Sequence, residues 1–420
     1  MGMVVLVGVA LGGHHLRQRE NAAALLERAS RLLRAPIEEV GEIERLQGPL
    51  AAQLIEEAER LHPSTQSRLL RHVARGLELM QQRDYLAAEG EFMAGHQLAP
   101  QDVDLRVMLS AVWLASNNIV EATQQLAALQ DMAPDHPRVL MLTADLALEN
   151  GAPDQALAIV ERAIADHPKA AVLLNRRGLI HERLGAFDRA LNDFTLAAAT
   201  DVHMPEAHLN RGRVLRDDGE FRLAEQAFSQ ALERNATDPN AWMGRGLCRL
   251  QQGQMPEAEL DLIRARDLAP GTRDPLVALS DFYAASGDTS QAIELLRASL
   301  LIDDKDAVAW LKLGNSLMRT REFRDAVASY RKAASIDDKL SAAHNGLGAA
   351  LSLLGDHDGA RAQLARAAEL DHGDPNPLLN LARLAERLGD RRAAEEAWRA
   401  ALDRDPNAPV PLFVKRSAGT

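Results

Sequence analysis

The chain has 420 residues, 46% apolar and only 4% aromatic, and a formal net charge of −12. The charge is spread along the chain rather than run in blocks, which favours solubility and excludes the clustered Lys and Arg of a nucleic-acid surface. One cysteine excludes an intrachain disulfide and any cysteine-based zinc site, and leaves the cellular compartment open.

The first sixteen residues, MGMVVLVGVALGGHHL, carry no charged side chain when the histidines are neutral. Their apolar part, Met3 to Leu11, is shorter than the ~18–20 residues of a spanning helix. No Lys or Arg precedes it as in a secretory signal. Leu6 stands where myristoylation wants Ser or Thr, and the glycines do not follow G-x-G-x-x-G. Two readings of residues 1–16 stand: a membrane anchor, with contact through residues 3–16, and a buried or disordered leader. As an anchor, it would be followed by Arg17, Arg19, Arg28, Arg31 and Arg34, which would hold the rest of the chain in the cytoplasm.

Residues 17–68 read as a helical cap. Leu16, Ala23, Leu26, Ala29 and Leu33 fall near one helix face, and Pro36 opens a further helix. Residues 50–63, with Ala51, Ala58 and Pro63, echo half of the unit that follows, three residues out of register. A stack of repeats needs such a shield at its end.

From residue 69 to 408 the chain repeats with a period of 34. Residues 307–340 show the unit: two amphipathic helices, with Trp310, Leu313, Gly314 and Leu317 on one stripe and Ala326, Tyr330 and Ala333 on the other. Steps of 34 from Ala326 land only on alanine: Ala88, Ala122, Ala156, Ala190, Ala224, Ala258, Ala292, Ala360 and Ala394. The place of Gly314 is always small: Gly76, Ser110, Ala144, Gly178, Gly212, Gly246, Ser280, Gly348 and Ala382. Gly151, Gly185, Gly219, Gly253, Gly287, Gly355 and Gly389 mark the turn, where a helix end favours left-handed backbone. Asp238-Pro239, Asp274-Pro275 and Asp374-Pro375 place a capping acid before a first-turn proline. Residues 409–420 read as a frayed tail, with Leu412 and Phe413 covering the last unit.

On these residues the chain resembles the tetratricopeptide repeat family, whose unit is a 34-residue helix–turn–helix. Trp242 and Trp310 meet the family's tryptophan place, and Phe92, Phe194 and Phe228 its phenylalanine place; Tyr283 supplies the first-helix tyrosine once. The resemblance implies an all-α, right-handed α-solenoid of about ten repeats, which binds protein or peptide partners along the inner wall of its first helices. Carried onto this chain, that wall offers Asn175, Arg176 and Arg183, then Asn210, Arg213 and Arg216. It continues with Lys312, Asn315 and Arg319, and ends with Asn380, Arg383 and Arg387. Asparagine can bond both groups of an extended backbone, and arginine can clamp a carboxylate. The series does not match the family's carboxylate clamp. Glu182, Glu206, Asp217 and Glu386 lie close to the stripe and offset its charge, while Asp104, Asp145, Glu149, Asp274 and Asp281 make other stretches acidic.

No catalytic or cofactor signature is present, and no metal site is expected: the histidines lack ligand spacing. Residues 355–359, Gly-Asp-His-Asp-Gly, fall on a repeat turn and lack the oxygen ladder of a calcium loop. Cys248 lies between Leu247 and Leu250 and reads as a small buried apolar residue. The leading expectation is a non-catalytic scaffold that captures peptide segments. The alternatives are a regulatory or substrate-selecting partner of a separate enzyme, such as a glycosyltransferase, and a membrane-held assembly factor.

Overall fold

A computed structural model describes the backbone of residues 2–33 and 48–411 and the side chains of 18–33 and 50–411. Among these residues the chain forms 22 helices and no strand. Most helices are 13 or 14 residues long, too short to persist in water without packing. Each therefore depends on a partner, and the chain supplies one immediately as an antiparallel hairpin. The fold is an α-solenoid of such hairpins, as the 34-residue pattern requires.

Two compact units divide the chain, residues 1–236 and 237–420. In the first, helices Gly2–Leu33 and Gly48–Leu61 precede hairpins that begin at Thr65, Val103, Pro137, Ala171 and Pro205. In the second, hairpins begin at Pro239, Asp274, Ala307, Ser341 and Asn376. Within each unit every hairpin's two helices pack on each other, and its second helix packs on the first helix of the next hairpin.

The interior follows the register. The ten alanines from Ala88 to Ala394 are all 0–1% exposed. Gly314 sits against the ring of Tyr330, sixteen residues on: a Cβ there would lie 2.6 Å from Tyr330 Cε1. The same ring also lies against Gly346 of the next hairpin, so one tyrosine fills two notches. Gly76, Gly178 and Gly212 receive Phe92, Phe194 and Phe228 in the same way. Where the small residue is Ala144, its opposite number is the smaller Val160. Trp310, on the same stripe as Gly314, is only partly buried and donates its indole N–H to the Asp304 carbonyl at 2.9 Å.

All seven turn glycines have positive φ, from 72° to 94°. The register explains three more left-handed residues that composition does not: Arg83 (φ 60°), Asn117 (61°) and Arg321 (64°) occupy the same turn in the repeats that lack glycine. The turn imposes its geometry whatever the side chain, and at these sites the backbone carries strain.

The capping reading holds for Asp238, whose carboxylate accepts from the Asn240 N–H at 2.9 Å; Asp374 accepts from the Asn376 N–H at 2.9 Å but stands one residue ahead of the cap position, which Pro375 holds. It fails for Asp274. There the Asp-Pro pair falls two residues later in the register than Asp238-Pro239. Arg273 takes the cap position with helical backbone, and Asp274 enters the first turn. Its carboxylate is thereby released from capping.

At the N-terminus, Gly2–Leu33 is one helix that runs through the apolar stretch into a charged one. Ala22, Leu26, Ala29 and Leu33 pack on Ala51, Leu54, Ile55 and Ala58, and this layer continues into Leu70 and Val73 of the first hairpin. Ala22, not Ala23, faces the core; Ala23 is exposed. The expected helix after Pro36 and the side chain of Leu16 lie outside the described residues. Among the described residues no helix is long and apolar enough to cross a membrane. At the other end Ala408 and Val410 pack on Leu379, Ala382 and Trp398; Leu412 and Phe413 lie outside the described residues.

Arg321→Gly is expected to raise stability by about 0.5 kcal/mol, because ~1–2 kcal/mol of left-handed strain outweighs the ~0.5–1 kcal/mol of added unfolded-state freedom. Arg331→Gly, on an exposed mid-helix site of the same repeat, should lower it by about 1 kcal/mol. Urea unfolding of both variants against the parent chain checks the pair, and equal losses would refute the strain argument.

Candidate functional site

The first helices of successive hairpins present a stripe of polar side chains, and bonds between neighbouring repeats order it. Residues 31 apart meet as ion pairs. Arg176 Nη1 lies 3.1 Å from Asp145 Oδ1, Arg213 forks onto the Glu182 carboxylate, and Lys312 Nζ donates to both oxygens of Asp281 at 2.8 and 2.6 Å. Residues 35 apart meet as hydrogen bonds. Asn210 Nδ2 donates to Asn175 Oδ1 at 3.1 Å, and Asn380 Nδ2 to Asn345 Oδ1 at 2.8 Å. Arg319 donates to the Ala284 carbonyl at 2.8 Å and Arg387 to the Ser352 carbonyl at 3.0 Å. These arginines thus bond carbonyls in the last turn of the preceding first helix, where intrahelical donors run out.

Arg216 folds onto its neighbour Asp217, at 2.7 Å from Nη2 to Oδ1. Arg383 donates to Asn380 Oδ1 at 3.2 Å. Asn315 accepts from the Tyr330 hydroxyl at 2.7 Å and so belongs to the core contact as much as to the stripe. Arg183 is exposed and makes no hydrogen bond or ion pair among the described residues. The twelve side chains are thus mainly tied to neighbouring residues. Their cationic charge is answered within the chain at Arg176, Arg213, Arg216 and Lys312, and what remains outward is amide and guanidinium edges.

The first three repeats of the second unit contain a feature that a search for Asn and Arg passes over. Met243 and Leu247 of the helix Pro239–Gln251, with Val277 and Ala278 of the helix Asp274–Ser286, floor a depression of about 320 Å³. Val308 stands at its edge, 50% exposed. Arg273, Asp274, Asp281 and Asp306 form its charged walls. Leu247 holds the register place of Arg213 and Asp281, one repeat on and one repeat back. Stepping the period from Arg213 is the signal that reaches it.

Other polar clusters are internal. Arg177 forks onto the buried Asp193 at 2.9 and 2.6 Å, with His181 Nε2 at 3.7 Å from the same carboxylate. Two repeats on, Arg245 forks onto the buried Asp261 at 2.8 and 2.8 Å, Arg249 adds 2.9 Å, and the Arg245 guanidinium stacks on Trp242 at 4.7 Å. Both pairs join the two helices of one hairpin, and their carboxylates are saturated by guanidinium, so neither offers a free base. Cys248 is fully buried. Asp356 accepts the Gly359 N–H at 3.0 Å as a helix cap, in keeping with the turn reading of residues 355–359. No group of three or more metal-ligating side chains occurs among the described residues.

His208 is buried in the helix Pro205–Asp217. Burial, with Arg234 and Arg211 close by, pushes its pKa down to about 4 from 6.5. The unfolded chain therefore binds more protons between those two values. The stability that neutral His208 contributes is complete above about 6.5 and is lost as pH falls towards 4. His208→Gln should remove about one proton of uptake on unfolding across that window. Urea unfolding at a series of pH values checks this, and an unchanged slope would contradict it.

Two tetratricopeptide-repeat sequence models match the chain, one over residues 79–146 and one over 141–202, 209–273, 277–341, 311–375 and 379–410. Among solved structures, the chain is similar to YrrB, a TPR protein with an unusual peptide-binding site. That match has 18% identity, covers 46% of this chain and 98% of the other, and has a TM-score of 0.38. It is also similar to a tetratricopeptide repeat protein from Parabacteroides merdae, at 20% identity, with 58% and 97% covered and a TM-score of 0.47. The Cut9–Hcn1 APC/C hetero-tetramer matches at 14% identity, with 89% and 93% covered and a TM-score of 0.46. Together the sequence models span well over half of the residues, and the chain belongs to the tetratricopeptide repeat family.

Proposed function

We propose that this chain is a non-catalytic scaffold that captures extended peptide segments along the first-helix face of each unit. Tetratricopeptide repeats support a role in protein interaction; the peptide groove is the finer reading. The observation that carries it is the state of the stripe itself. Its side chains are fixed by bonds 31 and 35 residues apart, so their remaining donors and acceptors are held in place before any partner arrives. Preorganised edges of this kind lose little side-chain entropy on binding. Asn175 is itself buried; half-buried Asn210 keeps its carbonyl oxygen and its second amide N–H after their mutual bond, and a peptide backbone asks for that combination.

Weak contacts from several repeats would add through effective concentration, so affinity need not reside in one pocket. The helices Gly2–Leu33 and Gly48–Leu61, together with the layer they form on the first hairpin, serve in this account as the end shield of the array. We take residues 17–68 as that cap and 69–408 as the repeats.

Photo-crosslinking tests the face directly. A photoreactive residue at Arg183 or Arg383, both exposed on first helices, should give adducts with co-purifying proteins in cells. The same residue at Arg361, exposed on a second helix, should give few. Adducts that favour Arg361, or none from the first-helix sites, would refute the proposal.

A further inference from the structure

We propose that the depression between Met243 and Val308 is a specificity pocket. It takes an aliphatic side chain from a partner segment that carries a lysine or arginine beside it. The inference rests on the groove reading and narrows it to one occupant. The floor is apolar: Met243, Leu247 and Val277 are each only partly buried, and Val308 at the edge is half exposed. Covering such surface is favourable at ~25 cal/mol per Å². The volume of about 320 Å³ admits one side chain with room for its approach.

The walls select the charge. Arg273 is one guanidinium among three carboxylates: Asp306, Asp274 at 3.3 Å and Asp303 at 3.8 Å. Asp306 is fully used, since its other oxygen accepts the Val308 and Ala309 N–H groups at 3.0 Å. Asp281 faces Lys312 with both oxygens. Asp274 is left with a single loose contact and a side chain 63% exposed, because the shifted Asp-Pro pair removed it from capping. With Arg273 on Asp306 and Lys312 on Asp281, the three acids of the lining face two bases, and Asp274 is the acid left over. A cationic neighbour of the inserted side chain completes this balance, while an acidic one would be repelled.

Random peptides displayed on phage and panned on the full chain supply the test. Enriched peptides should carry Lys or Arg within two residues of Leu, Ile, Met or Val. Synthesised singly, they should bind the Asp274→Asn/Asp281→Asn variant about tenfold more weakly, at two exposed charges of up to ~1 kcal/mol each. Val308→Ser, on a half-exposed site that the core does not need, should weaken them as well. Enriched peptides that are acidic or uncharged would overturn the pocket. So would binding unchanged in both variants, and in that case crosslinks from Arg183 or Arg383 would leave the groove reading standing. No enrichment at all would overturn both.

Discussion

A small residue on one helix and a large one sixteen residues later form the contact on which this molecule depends. Gly178 with Phe194, Gly212 with Phe228 and Gly314 with Tyr330 each place a ring where a Cβ would otherwise stand. The close approach this allows is what buries the register alanines almost completely. Chains with 4% aromatic residues seldom build a large central core. This one sets Phe92, Phe194, Phe228 and Tyr330 each against a glycine of its own hairpin, and Tyr330 against the next one too. Packing between neighbours then replaces a common interior.

The same periodicity that builds the core also arranges the surface. Once hairpins nest at a fixed step, a side chain on one first helix meets partners 31 and 35 residues away on the adjacent helices. Asp145 with Arg176 and Asp281 with Lys312 are one contact made twice, and Glu182 with Arg213 makes the same 31-residue step about one turn further along the helix. Such exposed pairs add little stability singly. Their effect is to fix the orientation of the side chains on this face. Where the register places Leu247 and Val277 on this face instead of charge, the stripe becomes a depression with an acidic rim.

Much of the fold was legible because period and residue size are written directly in the chain. Alanine at every Ala326 equivalent and small residues at every Gly314 equivalent led to the hairpins and to their packing faces. The pairing of the stripe residues was not legible, since the rotation between hairpins decides which acid reaches which base. The period alone brings Glu182 and Asp217 near the stripe, but the pairing of Arg176 with Asp145 depends on how one hairpin turns on the next. Composition also misled at the turn: Arg83 and Arg321 look unsuited to left-handed backbone and adopt it because the register demands it. The end of the first helix shows the finest limit, with Ala22 rather than Ala23 inward, a difference of one residue on the helix wheel.

The interlock is tested most directly by transplanting the pair found at Ala144 and Val160 onto Gly178 and Phe194 and measuring unfolding free energies around the full cycle. Gly178→Ala alone should destabilise the chain, because its new Cβ would lie 2.6 Å from the Phe194 ring. In the Phe194→Val background the same change should be tolerated, giving a coupling of about 1–2 kcal/mol. Strict additivity of the two substitutions would mean that the ring and the glycine do not depend on each other, and the account would fail.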